Sequence, residues 1–543
     1  MALLSFTPES WNLTPTTTIL LSILTLLLTL HFHTTRKLNP REPPILIPPI
    51  PLIGHLLGMF LLGGRYIKNL GLRHREHPIF TLPVPGSRIY VVADPSLAAS
   101  VQRASRVLSF TPIIPEVTER VLGLDEATMA ITRRNLDPGP GEERGFLADI
   151  QDMVYAWLGP GSYLEELSLA AAREMRDEIS AVGVNPGRGV DLLGWVRHLV
   201  TVSTAKYLYG PQNPIAVDPS LETSFWDFDH GLGSLLMNIV PSITARKAYL
   251  GREKLSAALL VYLEAGLHKT GSTIVQRRVE IALGHGWALP AVAREELSFL
   301  FAGIVNATTS TFWILVQLYA DPSLLASVRG EVEAIIKTLE PDSSSERSRL
   351  HLTDLRDHCP VLVAVYRECL RLGSDTYSTR LVKEDHMLAG QYFLAKNSVV
   401  QIAGGIIHAD GRIWGDDVDS FNPKRFIAPQ ENTAESKAGE EGKPTVKAKQ
   451  NNSFHPAAFR AFGGGKTLCP GRHFAMNEIL AFVALVVLQF DMRAAYGDKI
   501  EVPNKNDGVL PVHILEPVNE VGVLISRRED AIARKVRDAE FVM

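Results

Sequence analysis

The residues best able to do chemistry lie in one run, FGGGKTLCPGRHFAMNE over residues 462–478, which concentrates glycines, a cysteine and a proline ahead of an apolar helical stretch ending near Phe490. Gly463, Gly464 and Gly465 let the backbone take left-handed or tight conformations and approach a flat ligand closely. Cys469 then stands just before a helix that begins near Gly471, where amide hydrogens and the positive helix end favour a thiolate. Such a thiolate suits a haem iron that must split an oxygen–oxygen bond, because sulfur pushes electron density through the metal. From spacing alone, a glycine-rich turn carrying a buried free cysteine stays open as an alternative. A phosphate loop fits less well, since no strand and no correct glycine spacing precede the Gly-Lys-Thr triplet.

A second constellation, VYRECLRL, places Glu368 and Arg371 one turn apart on one helix face, a spacing suited to a buried ion pair. By itself this pair is no more than the usual solvated surface contact. The cysteine run, however, resembles the haem loop of the cytochrome P-450 family, Phe-x-x-Gly-x-x-x-Cys-x-Gly, with all four positions met by Phe462, Gly465, Cys469 and Gly471. The resemblance implies a mainly α fold with a minor β-sheet, and a haem b held between a long central helix and this loop. It makes Cys469 the axial ligand of the iron, with Phe462 packed near the sulfur.

The same resemblance joins Glu368 and Arg371 to Arg425 in FNPKRF as a structural triad under the haem, and it assigns Arg380 in TRLVKED to a haem propionate. A surface arginine near Lys383 is the alternative for Arg380. One departure stands two residues before the cysteine, where the family usually has Arg or His for a propionate and this chain has Thr467, with Lys466 beside it as a substitute partner. In the helix around FAGIVNATTSTFW, Ala302 and Gly303 are small enough to let a helix lie flat across a porphyrin, although small residues alone mean only close helix packing. The family's acid and threonine are replaced there by Val305 and Asn306. Asn306 is then the residue to hold a water or a distal oxygen, with Thr308 or Thr309 supplying a hydroxyl one turn away. Asn306 followed by Thr311, Phe312 and Trp313 looks like the sterol 7-alpha-hydroxylase and prostacyclin synthase branch, which contains both oxygen-inserting enzymes and peroxide isomerases.

These residues need a large framework. The chain has 543 residues and is 46% hydrophobic, enough for one large core or two ordinary ones. A net charge of -4 and a pI near 6.5 offer no field for a phosphate backbone, so nucleic acid is not expected as a partner. Three cysteines, Cys359, Cys369 and Cys469, argue against a disulfide framework and for a reducing compartment. Residues 59–425 are mostly helical in pattern, as in Leu192, Trp195, Val196, Leu199 and Val200, with short strands expected over 79–84, 89–92 and 399–402.

No charged side chain occurs between Glu9 and Arg36, and residues 19–30 are almost wholly aliphatic, which predicts a transmembrane anchor over 16–33 behind a short tail, 1–15. Arg36, Lys37 and Arg41 follow at once, so the positive-inside rule puts the remainder in the cytosol. A cleaved signal peptide lacks support, with no basic region in front and no small-residue cleavage site behind. A proline-rich hinge, 34–55, leads into a catalytic domain, 56–526; residues 428–453 are too polar to order and read as an insertion, and 527–543 form a charged tail. The family further implies a single-pass protein of the endoplasmic reticulum membrane that takes NADPH-derived electrons from a flavoprotein reductase. By the same analogy residues 107–147 and 225–239 line the pocket for a lipophilic substrate such as a terpenoid, sterol or polyketide of a biosynthetic pathway. Two rivals remain: a haem-thiolate isomerase or dehydratase acting on a peroxide, and a non-catalytic haem sensor.

Overall fold

The stripe formed by Leu192, Val196, Leu199 and Val200 lies along one face of a helix over Leu192–Tyr209, and all four are buried. Repeated along the chain, this spacing produces the helical body. The computed structural model describes residues 15–48, 50, 52–337, 349–427 and 453–543. The elements that matter for the site are α1 (Pro15–Thr35), α2 (Phe146–Leu158), α3 (Leu192–Tyr209), α4 (Ser220–His230), α5 (Leu289–Ala320), α6 (Pro360–Gly373), α7 (Arg472–Gln489) and α8 (Ala531–Arg537).

Helix α5 runs for 32 residues, about 48 Å at 1.5 Å per residue. It crosses the body against α3, α6 and α7. Pro290 sits in its first turn, where a missing N–H costs nothing. Both α5 and α7 are long and apolar enough to cross a membrane, but 72% and 78% of their apolar windows are buried inside the body. Their composition is that of core helices, apolar on all sides because protein surrounds them.

The strands expected over 79–84, 89–92 and 399–402 come together in one five-stranded sheet. It contains β1 (Ile79–Val84), β2 (Ser87–Val92), β3 (Leu108–Ser109), β4 (Tyr377–Val382) and β5 (Val399–Ala403), in the order β1-β2-β5-β4-β3. Ile89 pairs with Val399 in the parallel register, and Arg380 of β4 stands opposite Val400 in the antiparallel one. The sheet thereby delivers Arg380 toward the cysteine loop.

At the N-terminal side, α1 is a helix whose Ile19, Leu20 and Leu24 are exposed. The proline-rich stretch after it is fastened to the sheet through Glu42. This buried carboxylate accepts from the Tyr90 hydroxyl at 2.9 Å and lies 3.2 Å from the Arg88 guanidinium. Pro49 and Pro51 of the expected hinge lie outside the described residues, as does the insertion through residue 452. The last segment is part of the body: α8 buries Ala533 and Val536, and Glu540–Val542 pairs in parallel with Arg349–His351. The charges of 527–543 disguise this, because only every third or fourth residue there faces inward. Phe541, 1% exposed, anchors the segment. Phe541→Ala is expected to lower unfolding free energy by about 3–5 kcal/mol in denaturant titration.

Candidate active site

The loop before α7 is built by its glycines. Gly463 and Gly465 have φ of 71° and 64°, the left-handed region where a side chain is strained, and a Cβ on Gly465 would stand 2.9 Å from Gln102. The turn closes when the Cys469 N–H donates to the Phe462 carbonyl at 2.9 Å. The Phe462 ring packs against the main core. At Gly471, the residue capping α7, a Cβ would meet the Cys469 sulfur in ordinary van der Waals contact at 3.9 Å. As a free thiol, Cys469 has its pKa lifted by burial. The amides of Gly471 and Arg472 and the Arg472 charge act in the opposite sense without prevailing. The helix end therefore helps the thiolate but does not create it, and a cation at the sulfur is what would complete the ionisation.

Under the loop lies a buried ionic cluster. Arg371 donates to both oxygens of Glu368 at 2.8 and 2.7 Å, and Arg425 reaches Glu368 at 3.0 Å. Glu368 has 0% exposure and Arg371 1%, so each charge depends on the other. The third Arg371 nitrogen donates to the His408 carbonyl at 2.7 Å. Burial pushes the His408 pKa down to about 3, which leaves the ring neutral. Its Nδ1–H donates to Ser374 O at 3.0 Å and its Nε2 accepts the Arg460 N–H at 2.8 Å. His408 thus couples the triad to the strand of chain entering the cysteine loop. From the opposite side the Tyr155 hydroxyl of α2 is shared between the carbonyls of Leu468 at 2.5 Å and Lys466 at 3.1 Å.

The charges nearest the loop are cationic and uncompensated. Arg380 donates to Thr379 O at 2.7 Å and to the Thr467 hydroxyl, while Arg460 donates to the Ser378 hydroxyl at 3.0 Å and leaves its Nε without a partner. Burial brings each guanidinium down to about 10, and for Arg460 the neighbouring Arg380 adds to the effect. Among the described residues no carboxylate pairs with either. Two buried cations of this kind require an external anion, and a dicarboxylate cofactor supplies one. Thr467, which departs from the family pattern, holds Arg380 by its hydroxyl. Lys466 is exposed and lines, with Arg106, Arg380 and the ion pairs Arg144–Asp152 and Lys383–Asp137, a hollow of about 740 Å³ with an excess of positive charge.

This hollow adjoins another of about 520 Å³, lined mainly by apolar side chains including Phe110, Ile114, Phe228, Leu232, Phe301 and Val512. Both expected lining regions contribute to it. On α5, Ala302 and Asn306 are exposed in a helix whose other central residues are mostly buried, and they stand one turn apart on one face. Asn306 is already oriented: its Oδ1 accepts the Ile514 N–H at 3.0 Å, which leaves the amide NH2 as its donor end.

Three expected residues are placed differently. Gly303 turns toward α3, where a Cβ would meet Thr204 at 3.2 Å and Leu208 at 3.5 Å. It allows α5 and α3 to cross closely, about 100° round the helix from Ala302. Thr309 donates its hydroxyl to the Val305 carbonyl at 3.2 Å and is wholly buried, the usual return of a helical threonine to the preceding turn. Thr308 is wholly buried with its hydroxyl unpartnered among the described residues, which keeps it from serving the Ala302 and Asn306 face. Tyr155, His408, Arg460 and the Ile514 amide carry no sequence signal as a group, being up to 359 residues apart in the chain (514 − 155). Arg460 alone had one, a basic residue two places before Phe462.

A mainly helical body with a minor sheet, a cysteine loop braced by a buried Glu-Arg-Arg cluster, and a long helix across a hollow define a haem-thiolate type of enzyme. The “Cytochrome P450” family profile matches residues 289–516. A cytochrome P450 monooxygenase of Hypoxylon pulicicidum, nodJ, is 31% identical over 94% of this chain and 95% of its own. Another from Hormonema carpetanum, efuG, is 24% identical over 91% of each. A cholesterol 7-alpha-monooxygenase of Cricetulus griseus is 27% identical over 42% of this chain and 44% of its own. The crystal structure of a cytochrome P450DA heme domain superposes with a TM-score of 0.63 at 16% identity, over 91% of this chain and 99% of that one, a likeness of fold. The chain belongs to the cytochrome P-450 family and is a monooxygenase of it, with haem iron as the family's cofactor. The sensor alternative falls away with this. Arg460→Gln is expected to accelerate haem transfer to apomyoglobin about tenfold or more, by removing a hydrogen-bonding charge, whereas Arg460→Lys changes it less.

Proposed function

We propose that the chain hydroxylates or epoxidises a lipophilic small molecule, a terpenoid, sterol or polyketide of a biosynthetic pathway, with Cys469 as the axial thiolate of haem b. The observation that supports this reading is one apolar hollow lined both by Leu468 and Pro470, the neighbours of Cys469 in its glycine loop, and by Ser298 and Phe301 of α5, in the turn before the exposed Ala302 and Asn306. Bound haem supplies the reduction and cleavage of dioxygen, and the protein supplies its surroundings. Arg380 and Arg460 neutralise the propionates, Lys466 adds a cation at the hollow's edge, and the loop from Phe462 through Gly465 and Gly471 sets the sulfur's position. Glu368, Arg371 and Arg425 hold that loop and take no part in bond-making. On the other side Ala302 leaves room and the Asn306 amide donates to a water or oxygen, replacing the acid and threonine of the usual relay.

The membrane setting belongs to the same proposal. Helix α1 is the single-pass anchor in the endoplasmic reticulum, the catalytic body is cytosolic, apolar substrate arrives from the lipid side, and electrons come from NADPH through a flavoprotein reductase. The exposed aliphatic face of α1 and the basic residues that follow it support this arrangement.

Val305, Asn306 and the turning of Thr308 and Thr309 away from the Ala302 and Asn306 face favour the peroxide isomerase or dehydratase alternative, and the monooxygenase relatives weigh against it. Two measurements decide. With reductase, NADPH and ¹⁸O₂, the monooxygenase reading expects one labelled oxygen in the product, while anaerobic conversion of a hydroperoxide without reductase would replace it by the isomerase. The reduced, carbon monoxide-bound Cys469→Ser protein should lose the red-shifted Soret band and all turnover. An unchanged band would remove Cys469 as ligand.

A further inference from the structure

Residues 513–516 form a strap that follows Val512 at the edge of the apolar hollow, and successive residues of it are tied to different helices. His513 Nε2 lies 3.3 Å from Asp229 of α4, the Ile514 N–H donates to Asn306 of α5, and the Leu515 carbonyl accepts from Trp313 of α5 at 2.8 Å. Glu516 pairs with Arg197 of α3 and, at 3.3 Å, with His230 of α4. These ties place a charged pair one residue away from the amide that orients Asn306.

The Asp229 side chain has 0% exposure, and neither of its oxygens forms a full hydrogen bond among the described residues. A buried carboxylate in that position needs a positive neighbour. His513 is built to be one. Its Nδ1 lies 2.9 Å from the Ile514 carbonyl, an acceptor, and its Nε2 lies 3.3 Å from the Asp229 carboxylate, so each ring nitrogen faces a group that favours the protonated ring. Burial opposes this charge, but Asp229 first and Glu516 after it raise the His513 pKa above its ordinary value. The charged groups around the ring are Asp229 from α4 and Glu516 from the strap, and Glu516 is in turn engaged by Arg197 and His230.

From this geometry we infer that Asp229 and His513 are positioning residues for oxygen chemistry: their ion pair clamps the strap so that the Ile514 amide holds Asn306 with its NH2 turned to the haem side. The inference rests on the reading of Asn306 as the polar group opposite Cys469. Both backbone groups of Ile514 are engaged, the carbonyl by the His513 ring and the N–H by Asn306. Loss of the charge on either partner frees this residue and lets the amide of Asn306 rotate. The clamp has a pH sense. A histidine whose folded pKa is raised holds its partner at low pH and releases it as pH climbs through that raised value.

The test uses the ferric holoenzyme and cyanide, a distal ligand whose nitrogen accepts a hydrogen bond. Spectral titration of Asn306→Ala, Asp229→Asn and His513→Gln should each show a cyanide dissociation constant raised about five- to tenfold, the loss of one such bond. Asp229→Asn combined with Asn306→Ala should add nothing to Asn306→Ala alone, whereas Asp229→Glu restores most of the affinity. In the unsubstituted enzyme the affinity, corrected for cyanide ionisation, should weaken as pH rises past ordinary imidazole values, and His513→Gln should flatten that profile. If Asn306→Ala weakens binding while Asp229→Asn and His513→Gln bind like the parent, the clamp is overturned and the reading of Asn306 stands. If Asn306→Ala itself changes nothing, that reading fails and takes the clamp with it. Should the Asp229 and His513 variants not retain haem, a flat profile in the unsubstituted enzyme overturns the clamp on its own.

Discussion

The carboxylate of Glu368 is sealed from water and takes hydrogen bonds from Arg371, Arg425 and the Asn422 N–H. A charge in that setting is tolerated only while its partners keep their geometry, and removing one leaves the others stranded at a cost of about 3–5 kcal/mol. The cluster is therefore a rigid point in the body. Through His408 it reaches the Arg460 backbone, and through Arg460 the chain that turns into the cysteine loop. The sulfur's position is thus set by a chain of directional bonds that ends outside the hollow.

The opposite sign of imbalance appears at the loop itself. Arg380 and Arg460 are buried cations with hydroxyls and carbonyls for partners, where the triad below them is satisfied within the protein. One cluster is complete without a ligand and the other is not. This difference separates a bracing role from a binding role. Thr467 illustrates it: the side chain lacks the charge that the family usually places there, yet it aims Arg380, and Arg460 adds a second cation behind it.

The distal side follows a different logic. The usual acid and threonine are absent, and the hydroxyls nearest in sequence are turned into helix or core. Polarity there comes from Asn306, whose orientation is imposed from outside α5 by the strap. A helix positions a side chain's root, but the rotation of a terminal amide is decided by what it meets.

Sequence alone determined the glycine-cysteine loop, the one-turn spacing of Glu368 and Arg371, and the strands over 79–84, 89–92 and 399–402, while the class of fold and the link to Arg425 followed from the resemblance those motifs carry; strand β4, which bears Arg380, was not among the expected ones. Each of these depends on local spacing or on a short motif, and period and turn chemistry are properties of neighbouring residues. The face of α5 that meets the hollow was not legible, since Ala302, Gly303, Thr308 and Thr309 are equally plausible by type and differ only in helical phase and in their neighbours. The folding of residues 531–542 onto the body was hidden by surface charge. Tyr155, His408, Arg460, Asp229 and His513 became meaningful only in three dimensions. Their roles are hydrogen bonds and charges exchanged across large sequence separations, and such pairings are chosen by tertiary packing.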